Sequence, residues 1–275
     1  MNFPSAVNCC LQDYRKCSFS RCSQVIVNKR TKVKSLFKIV SINFLPYLFG
    51  FLFTFVPGME RLVIFDLDGT LLNTIADLGH AANHTLAELG LPQHTIKDYR
   101  LMVGNGMRKL IMRALPQDKA CDDPFVDSTL AAFLEYYADH IDIHTRPYPG
   151  VQDLVSRLSN QGFSLAVASN KIQAGAERLI ARFFPDIDFV AVMGNCPDYP
   201  LKPDAAVVEY IMEKAGASRT QTIMVGDSGT DIQTARNAGI PIIAVSWGFR
   251  PRHELADADY IADTASQLLN QLLKD

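Results

Sequence analysis

From residue 61 onward, short apolar runs alternate with amphipathic stretches, and that alternation leaves few folds open. RLVIFD (61–66), FSLAVAS (163–169), DFVAVMG (188–194), QTIMVG (221–226) and IPIIAVS (240–246) are short, β-branched and bounded by turn residues. They read as five buried strands. Helical spacing fills the intervals: 74–90, 106–115, 125–140, the VQDLVSRLSN run after the YPG breaker at 148–150, 173–184, 204–215 up to Gly216, about Thr230 to Ala238, and 264–273. Strands alternating with helices predict an α/β protein with a parallel sheet covered on both faces. Such sheets bind ligands at the carboxyl ends of their strands. The stretch 74–146 is too long for one crossover and predicts a separate helical subdomain inserted after strand one.

The first 58 residues belong to a different kind of chain. They hold eight Lys/Arg against one acid, Asp13, a balance of +7, so a total of −2 leaves the remaining 217 residues at −9. Four of the six cysteines (Cys9, Cys10, Cys17, Cys22) and eight of the 16 phenylalanines also lie there. The run 39–56 (IVSINFLPYLFGFLFTFV) is 18 residues without a charge, preceded by Lys29, Arg30, Lys32, Lys34 and Lys38. That length is at the short end of a bilayer span, and the basic flank fits a cytoplasmic side. Three readings stand: a membrane anchor placing the rest outside, a buried helix or docking tail, or sequence upstream of a true start at Met59. A cleaved signal peptide fits poorly, because TFVPGME offers no small-residue cleavage site. The cysteine spacing matches no zinc pattern. The net charge of −2 gives no reason to expect nucleic acid as a partner.

Four short motifs carry the chemistry. VIFDLDGTLLNT places Asp66 and Asp68 two apart, on one side of an extended chain. Two carboxylates held together call for a cation, and oxygen-only ligands of this kind suit Mg²⁺. Gly69 allows a tight turn and Thr70 offers a hydroxyl. AVASNK ends strand two with Ser169 and Asn170. YPLKPDA supplies Lys202, with Pro203 expected to start the next helix. VGDSGTDIQTA supplies Asp227 and Asp231 at a glycine-rich turn into a helix. Taken singly, a strand-end Ser is most often a helix cap, a lone Lys a surface residue, and Asp231 an acid complementing a helix dipole. Together they converge on one crevice suited to a phosphate and Mg²⁺, where a metal and Lys202 would neutralise phosphoryl oxygens. There Asp66 can attack phosphorus, and Asp68 can protonate the leaving alkoxide and then deprotonate water.

With these motifs in this order, the sequence resembles a phosphatase of the haloacid dehalogenase superfamily, and within it the phosphoglycolate phosphatase group. The resemblance covers about 60–273 and none of 1–58, with LMVGNGMRKL (101–110), PYPGV (147–151) and VSWGFR (245–250) as supporting pieces. It implies a Rossmann-like core over 59–73 and 147–275 with a helical cap over 74–146. It also implies Asp66 as nucleophile, Asp68 as general acid/base, and Ser169 and Lys202 holding the phosphoryl group. Mg²⁺ would be bound by the Asp66 carboxylate, the Asp68 carbonyl and Asp227, with Asp231 in support. Thr70, Asn170, Gly104, Asn105, Gly106 and Arg108 are the candidates for binding substrate, with 2-phosphoglycolate the first choice. Asn73 stands where group members often carry an Asp.

Rival readings are a sugar-phosphate mutase or a broad sugar or nucleotide phosphatase of the same fold, a receiver-type phospho-aspartate domain, and an idle scaffold. A mutase usually shows D-G-V where this chain has Asp68, Gly69 and Thr70. The expected partner is a small phosphorylated metabolite, the expected state a monomer or homodimer, and the expected location the cytoplasm unless 39–56 is an anchor. Arg250 and Arg252 are expected as solvated charges, and Cys121 and Cys196 as reduced thiols.

Overall fold

The computed structural model describes residues 61–274. The 39–56 run, the cluster of four cysteines and Met59 lie outside the described residues. Among the described residues no helix is long and apolar enough to cross a membrane.

A six-stranded, all-parallel sheet forms the centre. Its strands are β1 (Leu62–Phe65), β4 (Ser164–Ile172), β5 (Phe189–Asn195), β6 (Thr222–Gly226), β7 (Ile242–Val245) and β8 (Tyr260–Ala262), in the order β5-β4-β1-β6-β7-β8. The period-two side-chain alternation sorts β1 cleanly. Val63 and Phe65 face the core under α6 (Val151–Asn160), α7 (Gln173–Phe183) and α10 (Ala265–Leu272). Leu62 and Ile64 face the core under α8 (Ala206–Ala215) and α9 (Gly229–Ala238). Both faces are covered, as a sheet of unbroken apolar strands requires.

Register places the functional segments side by side. Phe65 pairs with Val167 of β4 and with Val225 of β6. The residues just beyond, Asp66, Ser169 and Asp227, therefore emerge at one end of the three central strands.

The insert after β1 carries five helices: α1 (Ile75–Glu88), α2 (Ile96–Met102), α3 (Met107–Ala114), α4 (Gln117–Ala120) and α5 (Asp123–His140). Its two connections pair with each other. β2 (Leu72–Asn73) runs antiparallel to β3 (Arg146–Pro147), with Leu72 opposite Pro147 and Asn73 opposite Arg146. Asn73 is exposed on this short ladder.

Three features depart from the sequence expectation. β4 continues to Ile172, so Ser169, Asn170 and Lys171 lie within the strand rather than on a turn. Pro203 does not start the next helix, which begins at Ala206 behind a loop containing a cis Lys202–Pro203 peptide. α2, the single-turn α4, and the three-residue β8 carry too little periodic pattern to be read, although Thr95 and Asp98 form a capping box at the start of α2.

Candidate active site

The site is built at the carboxyl ends of β1, β4 and β6 and from the loop after β5. Asp66 follows β1, and its amide donates to the Val225 carbonyl of β6 at 2.8 Å. Lys202 is buried and bridges two carboxylates, with its Nζ 2.8 Å from Asp66 Oδ1 and 2.7 Å from Asp231 Oδ1. Asp231 also accepts from Ser228 N (3.1 Å) and Ser228 Oγ (2.6 Å), closing the capping box of α9. Asp227 accepts from the Phe249 amide at 2.6 Å.

Backbone approaches Asp227 very closely. A Cβ on Gly69, whose φ is +93°, would fall 2.3 Å from Asp227 Oδ2, and one on Gly248 would fall 2.3 Å from its Cβ. A side chain at either position would displace the carboxylate, which explains the glycine in D-x-D-G-T beyond its turn.

Crowding of charge shifts the ionisation of the group. Burial, offset by Lys202 and reinforced by Asp231, pushes Asp66 up to about 7. Burial, then the neighbouring Asp231 and Asp66, raises Asp227 well above the carboxylate range. Burial alone would lower Lys202, but Asp231 and Asp66 outweigh it and hold the ammonium above its ordinary value. Lys202 is therefore a fixed cation.

The donor set fits a hard divalent cation. Asp66, Asp227 and Asp231 each bring an oxygen within 4.8 Å of the others, and all three are buried. Asp231 spends its oxygens on Lys202 and Ser228. Asp66 and Asp227 each leave one oxygen without a hydrogen-bond partner among the described residues. Four carboxylates in the pocket lining, including Asp68, face the ammonium groups of Lys171 and Lys202. Such an all-oxygen, negatively charged cluster suits Mg²⁺.

The remaining sequence candidates separate into two groups. Ser169 lines the pocket and its Oγ accepts from Lys171 N at 3.2 Å. Asn170 lines it too, and clamps the Lys202 backbone from both sides: its Oδ1 accepts from Lys202 N (2.9 Å) and its Nδ2 donates to Lys202 O (3.0 Å). Gly104 and Gly106 of the insert close the pocket from above. Thr70 is buried, its carbonyl accepts from Trp247 Nε1 at 3.1 Å, and it is not part of the lining. Asn105 Nδ2 donates to Thr230 Oγ1 at 3.0 Å and its Oδ1 accepts from Arg113, so it ties the insert to α9. Arg108, expected at the substrate, is turned away: it pairs with Asp123 (2.5 Å) and Asp127 (2.8 Å) at the start of α5, where two acids outcompete the crevice for its charge.

Two residues were not legible as site residues. Arg250, expected to be solvated, donates to the Val103 carbonyl at 2.6 Å and the Leu101 carbonyl at 3.1 Å, clasping the last turn of α2 and the start of the loop after it. Arg252 does pair at the surface, with Asp263. Lys171 is fully buried beside Asp68, a placement hidden by reading β4 as ending at Ser169. Ser169 and Lys171 are two apart on an extended strand, which is the signal that a longer strand would have given.

The space left in the pocket is small, about 30 Å³. It admits little more than ordered water.

Comparison with known proteins agrees with this geometry. A family model described as haloacid dehalogenase-like hydrolase matches residues 63–245. A phosphoglycolate phosphatase of Mesorhizobium japonicum is 38% identical over 193 residues, covering 70% of this chain and 85% of that protein. One from Agrobacterium fabrum is 37% identical over 219 residues, covering 78% and 94%. The crystal structure of a putative phosphoglycolate phosphatase from Lactobacillus delbrueckii subsp. bulgaricus superposes with a TM-score of 0.73 at 32% identity, covering 79% of this chain and 100% of that one. With the family model spanning most of the parallel sheet, this chain belongs to the haloacid dehalogenase-like hydrolases, as a phosphatase among them.

Proposed function

We propose that the chain hydrolyses the phosphate monoester of a small metabolite through an aspartyl-phosphate on Asp66, with 2-phosphoglycolate as the leading substrate. The observation that carries this reading is the buried Lys202, bridging Asp66 and Asp231 next to Asp227. A nucleophilic carboxylate needs a neighbour that neutralises the incoming phosphoryl oxygens, and a fixed ammonium does so. The names of the relatives support the substrate choice.

In this reading an Asp66 oxygen attacks phosphorus as the bond to the leaving oxygen breaks, and Asp68 gives that oxygen its proton. Asp68 then takes a proton from water, whose oxygen attacks the acyl phosphate, releasing phosphate and restoring Asp66. Ser169 Oγ and Lys202 Nζ hold the phosphoryl oxygens. Asp66, Asp227 and the Asp68 carbonyl would hold Mg²⁺, with Asp231 orienting Lys202 in support. When bound, the cation supplies charge neutralisation at the phosphoryl group.

Residues 74–146 act as the cap and 59–73 with 147–275 as the core. The Arg250 clasp and the Asn105–Thr230 bond support a cap that docks over the pocket and excludes water. We place the protein in the cytoplasm, where Cys121 and Cys196, which form no disulfide among the described residues, would stay reduced.

The test is phosphate release by the full chain from 2-phosphoglycolate, sugar phosphates, nucleotides and pyrophosphate, with and without Mg²⁺. Selective, Mg²⁺-dependent turnover of 2-phosphoglycolate is expected. Slow, even activity across the panel would overturn the substrate assignment and leave a broad phosphatase. A requirement for added bisphosphate would identify the mutase reading.

A further inference from the structure

Lys171 and Tyr137 form a pair that the proposed chemistry has not used. Lys171 stands in β4 with its side chain fully sealed from solvent. A buried ammonium is stable only when its hydrogens are taken up. Its Nζ lies 3.2 and 3.4 Å from the two Asp68 carboxylate oxygens, and donates to the Tyr137 hydroxyl at 2.6 Å. Tyr137 comes from α5 of the insert, is itself buried, and stacks on Phe133 with centroids 5.3 Å apart. Burial and then the charges of Asp68 and Asp77 keep the Tyr137 hydroxyl protonated.

One chain of contacts therefore runs from the insert to the carboxylate expected to move the protons. Asp68 lies in the turn after β1; the ammonium reaching it comes from β4, and the hydroxyl behind that ammonium comes from α5. A general acid acts only from within hydrogen-bond reach of the leaving oxygen, and a displacement of about 1 Å costs on the order of a hundredfold.

We infer that Lys171 and Tyr137 are positioning residues for Asp68: Lys171 holds its carboxylate in the acid–base position from the core, and Tyr137 fixes Lys171 through a contact that exists only while the insert is docked. The inference rests on the reading of Asp68 as the general acid. It makes the placement of Asp68 sensitive to the docked insert through the Tyr137 hydroxyl alone.

The experiment is single-turnover release of the leaving group from an alkyl phosphate (2-phosphoglycolate) and from p-nitrophenyl phosphate. p-Nitrophenolate departs without help from an acid, whereas an alkoxide does not. Tyr137→Phe, Lys171→Met and Asp68→Asn are compared with the parent full chain, with folding checked by circular dichroism. Tyr137→Phe is expected to slow alkyl release by at least about tenfold while p-nitrophenol release stays near the parent rate, and Lys171→Met, which also removes a pocket charge, to slow alkyl release at least about tenfold more than p-nitrophenol release. Tyr137→Phe removes a single hydroxyl and keeps the test alive should Lys171→Met fail to fold. If Asp68→Asn shows that selective loss and the two variants do not, the positioning inference is overturned and the Asp68 assignment survives. If Asp68→Asn itself slows both substrates alike, the acid assignment falls and the inference with it.

Discussion

At the scale of single residues, the site is governed by how much charge can be packed into a dry volume. Asp66, Asp227 and Asp231 share one buried cluster, and Lys202 is in contact with two of them. Tolerance for added bulk is correspondingly small. Gly69→Ala would force a Cβ to within 2.3 Å of Asp227 Oδ2 at a φ of +93°. It should destabilise the protein by about 1–3 kcal/mol from the backbone alone, and should cost activity beyond that by moving Asp227. Thermal unfolding and kcat measured on the same preparation check this; a variant with parent stability and rate would mean that Asp227 is not held where it is described. At this scale the sequence was informative where a residue type is rare in its position, as with Asp66, Asp68 and Gly69. It was uninformative where the role depends on a distant neighbour. Arg108 is a substrate candidate in the sequence but pairs with Asp123 and Asp127 in the structure, and Lys171 draws no notice until β4 runs on to Ile172.

At the scale of elements, the sheet sets the site and the insert closes it. The five strands visible in the sequence have apolar runs long enough to register; β8 escapes because three residues carry no pattern. α6 coincides with its expected range because Gly150 precedes it in the left-handed region and fixes its start. Part of the insert's grip on the core was not legible, since it consists of arginine side chains binding carbonyl groups, which any sequence offers. Arg250 makes two such bonds, one to the last turn of α2 and one to the loop after it. Arg250→Ala should therefore loosen residues 101–106 without unfolding the sheet, a loss of about 1–3 kcal/mol for bonds from a charged group. Hydrogen exchange should quicken at those amides and KM should rise. Unchanged protection there would show that the clasp holds nothing.

At the scale of the whole molecule, stability, pH and metal are linked. Asp66 is raised from 3.8 to about 7 by burial. A carboxyl raised in this way binds its proton more tightly in the folded state than in the unfolded one. Its contribution is present below the unfolded value and is lost as pH climbs through the folded one. The metal-free protein should thus lose stability between about pH 4 and pH 7 on account of this group, and Asp227 acts in the same direction. A divalent cation bound by the ionised carboxylates removes that loss and releases protons. Mg²⁺ should therefore raise the Tm more at pH 8 than at pH 5. An equal increment at both values would contradict the cluster as the metal site.

The central claim is that Asp66 carries the phosphoryl group during turnover. Its most direct test is to mix the full chain with 2-phosphoglycolate and Mg²⁺, quench in acid within one turnover, and map the phosphorylated peptide by mass spectrometry. The account predicts label on the peptide that contains Asp66, and an Asp66→Asn variant with no label and a rate lowered at least about a thousandfold. Turnover with label elsewhere, or a variant that keeps a near-parent rate, would contradict it.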